Sequence, residues 1–244
     1  MSSLQGKVAV ITGASSGIGK AIALSLALEG ANVLLLGRNE SKLNEVARLI
    51  QSRGGHAAVF VFDVTLMDEN TELQERFKKQ FGRVDVLVHS AGAFVQNKMD
   101  SASIDDFDLQ YRVNVRGAYY LTQALLTMIT SYRGQIVFIN STAGIMGARA
   151  NVGQYAATKH ALRAIADSVR DEVNSKGVRV LSVYPGRTAS AMQEAIHKEE
   201  GLEYHPEQLM QPEDVASVVK MALCLPETAE MTDVTVRPMK KIAT

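Results

Sequence analysis

The chain has 244 residues, 46% of them hydrophobic, enough to bury a full core, and α/β folds of this length commonly form one domain. Its 26 Lys and Arg balance 26 Asp and Glu, so no global field draws it to nucleic acid or to an anionic membrane surface, and neither is expected as a partner. Residues 1–6 lack a basic start leading into an apolar signal core, Val8 to Ile11 is far too short to span a bilayer, and the single cysteine, Cys224, fits a reducing compartment, so a cytoplasmic location is expected.

From the N-terminus, short β-branched runs alternate with longer runs of helical period. Lys7–Ile11, Asn32–Leu36, Ala57–Phe62, Val84–Val88, Gln135–Asn140 and Val178–Val183 read as strands, with another at Met231–Val236 after a helix that starts near Pro212 to Asp214. Their apolar stretches are continuous rather than alternating, as parallel strands buried on both faces require, and strand–helix alternation implies right-handed crossovers. The expected fold is α/β, a single doubly wound (Rossmann-type) domain over residues 1–244, with a mainly parallel sheet of about seven strands flanked by helices. Pro206 and Pro212 flank a loop, and the sequence on either side is too short for a second core.

The first crossover carries the earliest chemistry. Thr12-Gly13-Ala14-Ser15-Ser16-Gly17-Ile18-Gly19 lies between the first strand and a helix running through Leu28. A dinucleotide's pyrophosphate needs free backbone N–H groups at a helix N-terminus, with glycines where a side chain would block approach, and Gly13, Gly17 and Gly19 fit those jobs. Ser15, Ser16 and Ile18 complete the loop, and Ser15 offers a hydroxyl contact. Gly19-Lys20 also suggests a P-loop, but Ala14 stands where the leading glycine belongs and Ala21 replaces the Mg²⁺-binding hydroxyl.

At the end of the second strand, NAD sites carry an acid that binds the ribose hydroxyls and repels a 2′-phosphate. Here the position is Gly37, followed by Arg38, whose guanidinium can pair with a phosphate bidentately. NADP(H) is therefore expected in preference to NAD(H). The alternative for Arg38 is a solvated surface charge.

Further along come Asp63-Val64 after the third strand, His89-Ser90-Ala91-Gly92 after the fourth, Asn114 in a helix, Ser141 at the end of the fifth strand, Tyr155-x-x-x-Lys159, and Pro185-Gly186-Arg187-Thr188 after the sixth. Together with the opening Gly-x-x-x-Gly-x-Gly, this order resembles the short-chain dehydrogenase/reductase family over nearly the whole chain. The order carries the resemblance, because a Tyr-x-x-x-Lys pair alone is common by chance.

Reducing a ketone requires hydride at carbon and a proton at oxygen, so an acid must stand beside the nicotinamide. A tyrosine with a reference pKa near ~10 becomes a better participant when an ammonium one helical turn away favours its phenolate. Tyr155 and Lys159 are four apart on the predicted helix Gly153–Asn174, which puts both on one face.

The resemblance implies the remaining roles. Lys159 would also hold the nicotinamide ribose, Ser141 would hydrogen-bond the substrate oxygen, and Asn114 would keep a water for a proton relay from Lys159. Asp63 with Val64 would contact adenine, and Ala91-Gly92 would border the adenosine side. After Pro185-Gly186, the Thr188 backbone and the Ser190 side chain would hold the carboxamide. Thr188 to Glu200 reads as a mobile amphipathic lid within a substrate-covering stretch around 188–210. Phe94, Ile145, Met146, Gln154, Met192 and Ile196 are the expected substrate contacts. No metal is expected.

The implied activity is NADP(H)-dependent reduction of a ketone or aldehyde to an alcohol, or the reverse. An NAD-linked alcohol dehydrogenase on the same site and a non-catalytic dinucleotide-sensing protein are the alternatives.

Three departures stand out. Ser141 precedes the tyrosine by fourteen residues where the family spacing is thirteen, and Thr142 occupies the thirteenth place. Ala143-Gly144 favours Ser141, with the extra residue in the loop Ile145 to Val152, and Thr142 remains the alternative. Where the family usually has Asn-Asn-Ala-Gly after the fourth strand, this chain has His89-Ser90-Ala91-Gly92, and His89, at a strand end with no carboxylate in sequence reach, reads as a packed histidine. Arg237-Pro238-Met239-Lys240-Lys241 replaces the glycine-rich ending associated with a tetramer contact. A homodimer or homotetramer is still expected through the helices near Val113–Thr130 and Gly153–Asn174, on the premise that their outer positions are apolar.

Overall fold

The structure, a computed structural model, describes residues 4–66, 75, 77–79, 81–147 and 149–240. Its strands are β1 (Val8–Thr12), β2 (Asn32–Gly37), β3 (His56–Val61), β4 (Val86–His89), β5 (Gln135–Ile139), β6 (Arg179–Pro185) and β7 (Asp233–Val236). They form one seven-stranded sheet in the order β3-β2-β1-β4-β5-β6-β7, and every pairing is parallel. The continuous apolar runs are explained by this arrangement. β4 and β5 are buried at every position, while the edge strand β3 alternates towards solvent.

The helices are α1 (Gly17–Leu28), α2 (Glu40–Ser52), α3 (Ile104–Tyr111), α4 (Gly117–Ser131), α5 (Gly153–Val173), α6 (Ala191–Glu199) and α7 (Pro212–Leu223). One sheet face packs against α1, α2 and α7 through Leu26, Leu43, Val215 and Val219. The other packs against α4 and α5 through Leu121, Leu125, Leu162 and Ala166. Each fully buried aliphatic side chain of this kind contributes about 1.5–3 kcal/mol of transfer free energy. Local signals start the helices. Asn39 caps α2 by accepting from the Lys42 N–H at 3.0 Å, and α7 begins with Pro212 inside a Gln211/Asp214 capping box.

The strand order reverses between β1 and β4, and the carboxyl ends of these two strands open the crevice in which open α/β sheets bind ligands. A buried polar anchor fixes the opposite end of the same pair. The Asp85 carboxylate accepts from the Val8 N–H at 2.8 Å and from two Arg83 nitrogens at 2.6 Å each.

Two expectations need correction. The helix expected from Val113 begins instead as a π turn over Arg112–Arg116, continuous with α3, before α4 starts at Gly117. The outer positions of the long helices are also not uniformly apolar. On α5 the exposed face carries His160, Arg163, Asp167, Ser168, Asp171 and Glu172 beside Ala157 and Ala164, with Asp167 paired to Arg163 at 3.7 Å and to Arg170 at 2.8 Å. On α4 it carries Tyr119, Gln123, Thr127 and Ser131. The outer face of α5 is thus mostly charged and self-paired, whereas that of α4 is uncharged and includes the exposed Tyr119. Among the described residues, no helix is long and apolar enough to cross a membrane.

Candidate active site

The glycine loop is shaped by close backbone approach. Gly13 has φ +65°, and a Cβ there would stand 2.9 Å from the Ala91 nitrogen, so the loop and the end of β4 are in contact only because Gly13 has no side chain. A Cβ on Gly19 would collide with the Gly13 carbonyl. Thr12 ties the same elements together, since its hydroxyl accepts from the Ser90 and Ala91 N–H groups at 3.0 Å each and donates to the Val88 carbonyl at 3.4 Å. The sequence places Thr12 at the head of the glycine loop but gives it no role, because the β4 groups it binds are remote in the chain.

Ser16 precedes α1 in an extended conformation, yet its side chain caps no N–H of the first helical turn. Those donors, with the positive end of the helix dipole behind them, fit an anionic pyrophosphate. The Ala14 N–H bonds the Leu36 carbonyl at 3.2 Å, which ties the loop to the end of β2, where Arg38 is exposed. The residues present therefore fit a dinucleotide whose adenosine end lies towards β2.

The neighbouring loops are built from local bonds. Asp63 accepts from the Thr65 N–H and hydroxyl at 2.8 Å each, and Val64 packs where a Cβ on Gly117 would meet it at 2.9 Å. Asn114, in the π turn, has its amide fully engaged: its oxygen accepts from the Ala93 N–H at 2.8 Å, and its nitrogen donates to the Ala93 carbonyl at 2.9 Å and the Thr158 hydroxyl at 3.0 Å. Asn114 thus clamps the Ala91-Gly92 loop against α5, while the π turn carries it there. His89 is a packed residue, stacked on Phe138 at 4.8 Å with Nε2 2.8 Å from the Thr122 hydroxyl, and burial holds its pKa down to about 3.

Tyr155 and Lys159 project from the first turns of α5. The Lys159 nitrogen lies 5.7 Å from the Tyr155 ring centroid and donates to the Ile139 carbonyl at 3.2 Å. The Ser141 side chain stands beside the Tyr155 phenol and acts on it in the sense that favours phenolate, and its hydroxyl accepts from the Ala143 N–H at 3.2 Å. Ser141 and Thr142 both line the cavity, and of the two it is Ser141 that acts on the phenol.

The electrostatics differ from the sequence expectation. Burial dominates and pushes Tyr155 up to about 12, with Ser141 opposing it, while burial pulls Lys159 down to about 8. Desolvation of the phenol thus outweighs the groups that favour its phenolate, and burial of Lys159 itself disfavours the ammonium.

These groups open on a cavity of about 410 Å³. Ser141, Tyr155, Pro185, Gly186, Thr188 and Ser190 line it, and of the glycine loop Ile18 does so too. Thr188 donates to the Gly186 carbonyl at 3.1 Å, and Ser190 caps α6 by accepting from the Gln193 N–H at 3.1 Å. Residues 188–210 form a closed excursion that returns through a parallel bridge between Thr188 and Met210, with Arg187 and Glu200 paired at 3.4 Å.

Phe94 meets the Tyr155 ring edge-on at 4.8 Å, and Phe94, Met146, Met192 and Ile196 line the cavity. Two expected contacts do not. Ile145 is half-buried outside the lining, since the turn over Thr142–Gly144 presents Met146 instead. Gln154 donates to the Ser103 carbonyl at 2.8 Å and accepts from Gln110 at 3.4 Å, which commits it to α3. Gln96, Arg149, Val152, Arg237 and Lys240 line the cavity unforeseen, because they come from loops whose course no periodicity encodes, and Gln193 joins them from α6.

A family model described as short chain dehydrogenase matches residues 7–201. An uncharacterized oxidoreductase of Staphylococcus aureus is 36% identical over 242 residues, covering 98% of this chain and 100% of that protein. Among solved structures, an alcohol dehydrogenase from the archaeon Thermococcus sibiricus complexed with 5-hydroxy-NADP superimposes with a TM-score of 0.88 at 26% identity, covering 98% of this chain and 100% of that one. A variant of the actinorhodin polyketide ketoreductase with NADPH gives a TM-score of 0.86 at 26% identity, with 98% of each chain covered.

Proposed function

The chain belongs to the short chain dehydrogenase family of oxidoreductases, and on that premise we propose that it reduces a ketone or aldehyde to an alcohol with NADPH, or runs the reverse reaction with NADP⁺. The observation that carries this reading is the placing of Ser141 and Tyr155 side by side at the wall of one cavity, with the Lys159 nitrogen 5.7 Å from the Tyr155 ring centroid behind them. When bound, the nicotinamide supplies or accepts the hydride.

The chain's own residues manage the proton and the geometry. Tyr155, kept protonated by burial, donates to the substrate oxygen during reduction. Ser141 offers that oxygen a second hydrogen bond, and Lys159, in its charged form, stabilises the tyrosinate left behind. Asn114 holds the Ala93 loop and Thr158 in register, and so positions α5 against the cavity. Pro185 to Ser190 bounds the nicotinamide side.

Arg38 and the missing acid at Gly37 support NADP(H) over NAD(H), and NADP or a derivative accompanies both neighbours described above. The test is NADPH oxidation across ketones and aldehydes of graded size, run beside Tyr155→Phe. Carbonyl-dependent oxidation that disappears with the phenol supports the reading, and equal rates in the two proteins overturn it.

A further inference from the structure

We propose that the carbonyl substrate carries an anionic group, a carboxylate or a phosphate, which is recognised at the cavity rim by Arg149, Arg237 and Lys240. This rests on the reductase reading above and names the substrate class of the same site.

The chain as a whole has a formal charge of zero, so any local excess of one sign is an arrangement of the fold. The cavity lining contains four cationic side chains, Arg149, Arg187, Arg237 and Lys240, against one acid, Glu200. Arg187 and Glu200 neutralise one another at 3.4 Å. Among the described residues, the other three cations have no carboxylate within ion-pair distance. Among the described residues, three positive charges without an ion-pair partner therefore face one opening.

They arrive from two walls. Arg149 belongs to the loop between β5 and α5, whereas Arg237 and Lys240 follow β7. The β7 end is brought in by contact with the nicotinamide-side loop, since a Cβ on Gly186 would meet Pro238 at 3.1 Å and the Arg237 Cα at 3.5 Å. The pyrophosphate cradle at α1 and the Arg38 position belong to other elements, so neither cofactor charge needs these three residues.

The rest of the lining divides in the matching way. Near the phenol, Phe94 and Val152 are apolar, and Met146 and Met192 are 47% and 42% exposed at the opening, a flexible apolar surface held towards solvent. Arg149, Arg237 and Lys240 are all exposed. An apolar throat with a cationic rim suits a molecule whose carbonyl enters first and whose anionic end stays outside. Arginine offers such a group a bidentate fork, and the local field steers it to the opening.

The test measures kcat/KM with NADPH for oxo acids of graded chain length against their methyl esters, and for ketone phosphate monoesters against the matching alcohols. Arg149→Gln, Arg237→Gln and Lys240→Gln are compared with wild type, singly and together. The acids or the phosphates should be preferred over their neutral partners by about ten-fold or more, and the combined variant should erase most of that ratio. Arg237→Lys should retain part of it. Which anionic series shows the preference identifies carboxylate or phosphate.

Equal rates for charged and neutral partners, a preference that survives the combined variant, or a variant effect on NADPH affinity of the same size would each overturn the proposal. If no carbonyl compound oxidises NADPH, the reductase reading has failed. Calorimetric titration with glutarate, hydrogen phosphate and dimethyl glutarate then still decides the rim: an anion that binds wild type and not the combined variant supports it, and no anion binding overturns it.

Discussion

Ser141 and Tyr155, fourteen positions apart in the chain, stand side by side at the wall of the cavity, where the serine acts on the phenol in the sense that favours phenolate. The turn over Thr142–Gly144 and the following loop absorb the extra residue, so the strand end and the start of α5 meet despite the longer connection. Tyr155→Phe removes the proton donor and is expected to lower kcat for carbonyl reduction by about 10²–10⁴-fold. Ser141→Ala should lower it by about ten- to a hundred-fold, with Thr142→Ala close to wild type. A larger loss in Thr142→Ala than in Ser141→Ala would reverse the assignment.

Lys159, with a pKa pulled down to about 8 by burial, is charged below that pH and neutral above it. Tyr155, pushed up to about 12, remains a proton donor throughout the range. The rate of carbonyl reduction is therefore expected to be level at low pH and to fall as pH rises through about 8. A profile of kcat/KM from acid to mildly alkaline pH checks this, and a rate that stays level well above pH 8 contradicts it.

Arg38 is exposed at the end of β2, where Gly37 leaves no acid. Arg38→Glu should weaken NADPH binding by about ten- to a hundred-fold while leaving NADH affinity the same or better, as fluorescence titration of both cofactors would reveal. Gly19→Ala tests the cradle from the other side. Its added methyl meets the Gly13 carbonyl, so both cofactors should lose affinity together.

His89 links pH to stability. Its pKa is about 3 in the folded chain, against 6.5 for the ordinary side chain, because burial disfavours the charged ring. Above about pH 6.5 both states are neutral and its contribution is complete. As pH falls the unfolded chain takes up a proton that the folded one refuses, so stability is lost progressively from about 6.5 down towards 3. Denaturant midpoints should decline over this window in wild type and less steeply in His89→Gln. Identical slopes would show that other groups set the acid limit.

Much of the fold was legible in the sequence because its signals are local. Continuous apolar runs such as Gln135–Ile139 can be satisfied only by burial on both faces, and the glycines between β1 and α1 mark backbone approach whatever the remote partner is. Tyr155 and Lys159 share a helix face by the period of the helix itself. The outer face of α5 is more charged than expected because which side of a helix is outermost is settled by what packs on the other.

The sequence by itself determined the strand–helix alternation, the phosphate cradle and the tyrosine–lysine pair, since each depends on short-range geometry. Only the tertiary structure put Ser141 where it acts on the phenol, made burial the dominant influence on the Tyr155 pKa, and brought Arg149, Arg237 and Lys240 to one opening with it. Those outcomes depend on distances and dielectric between segments far apart in the chain, which no local pattern encodes.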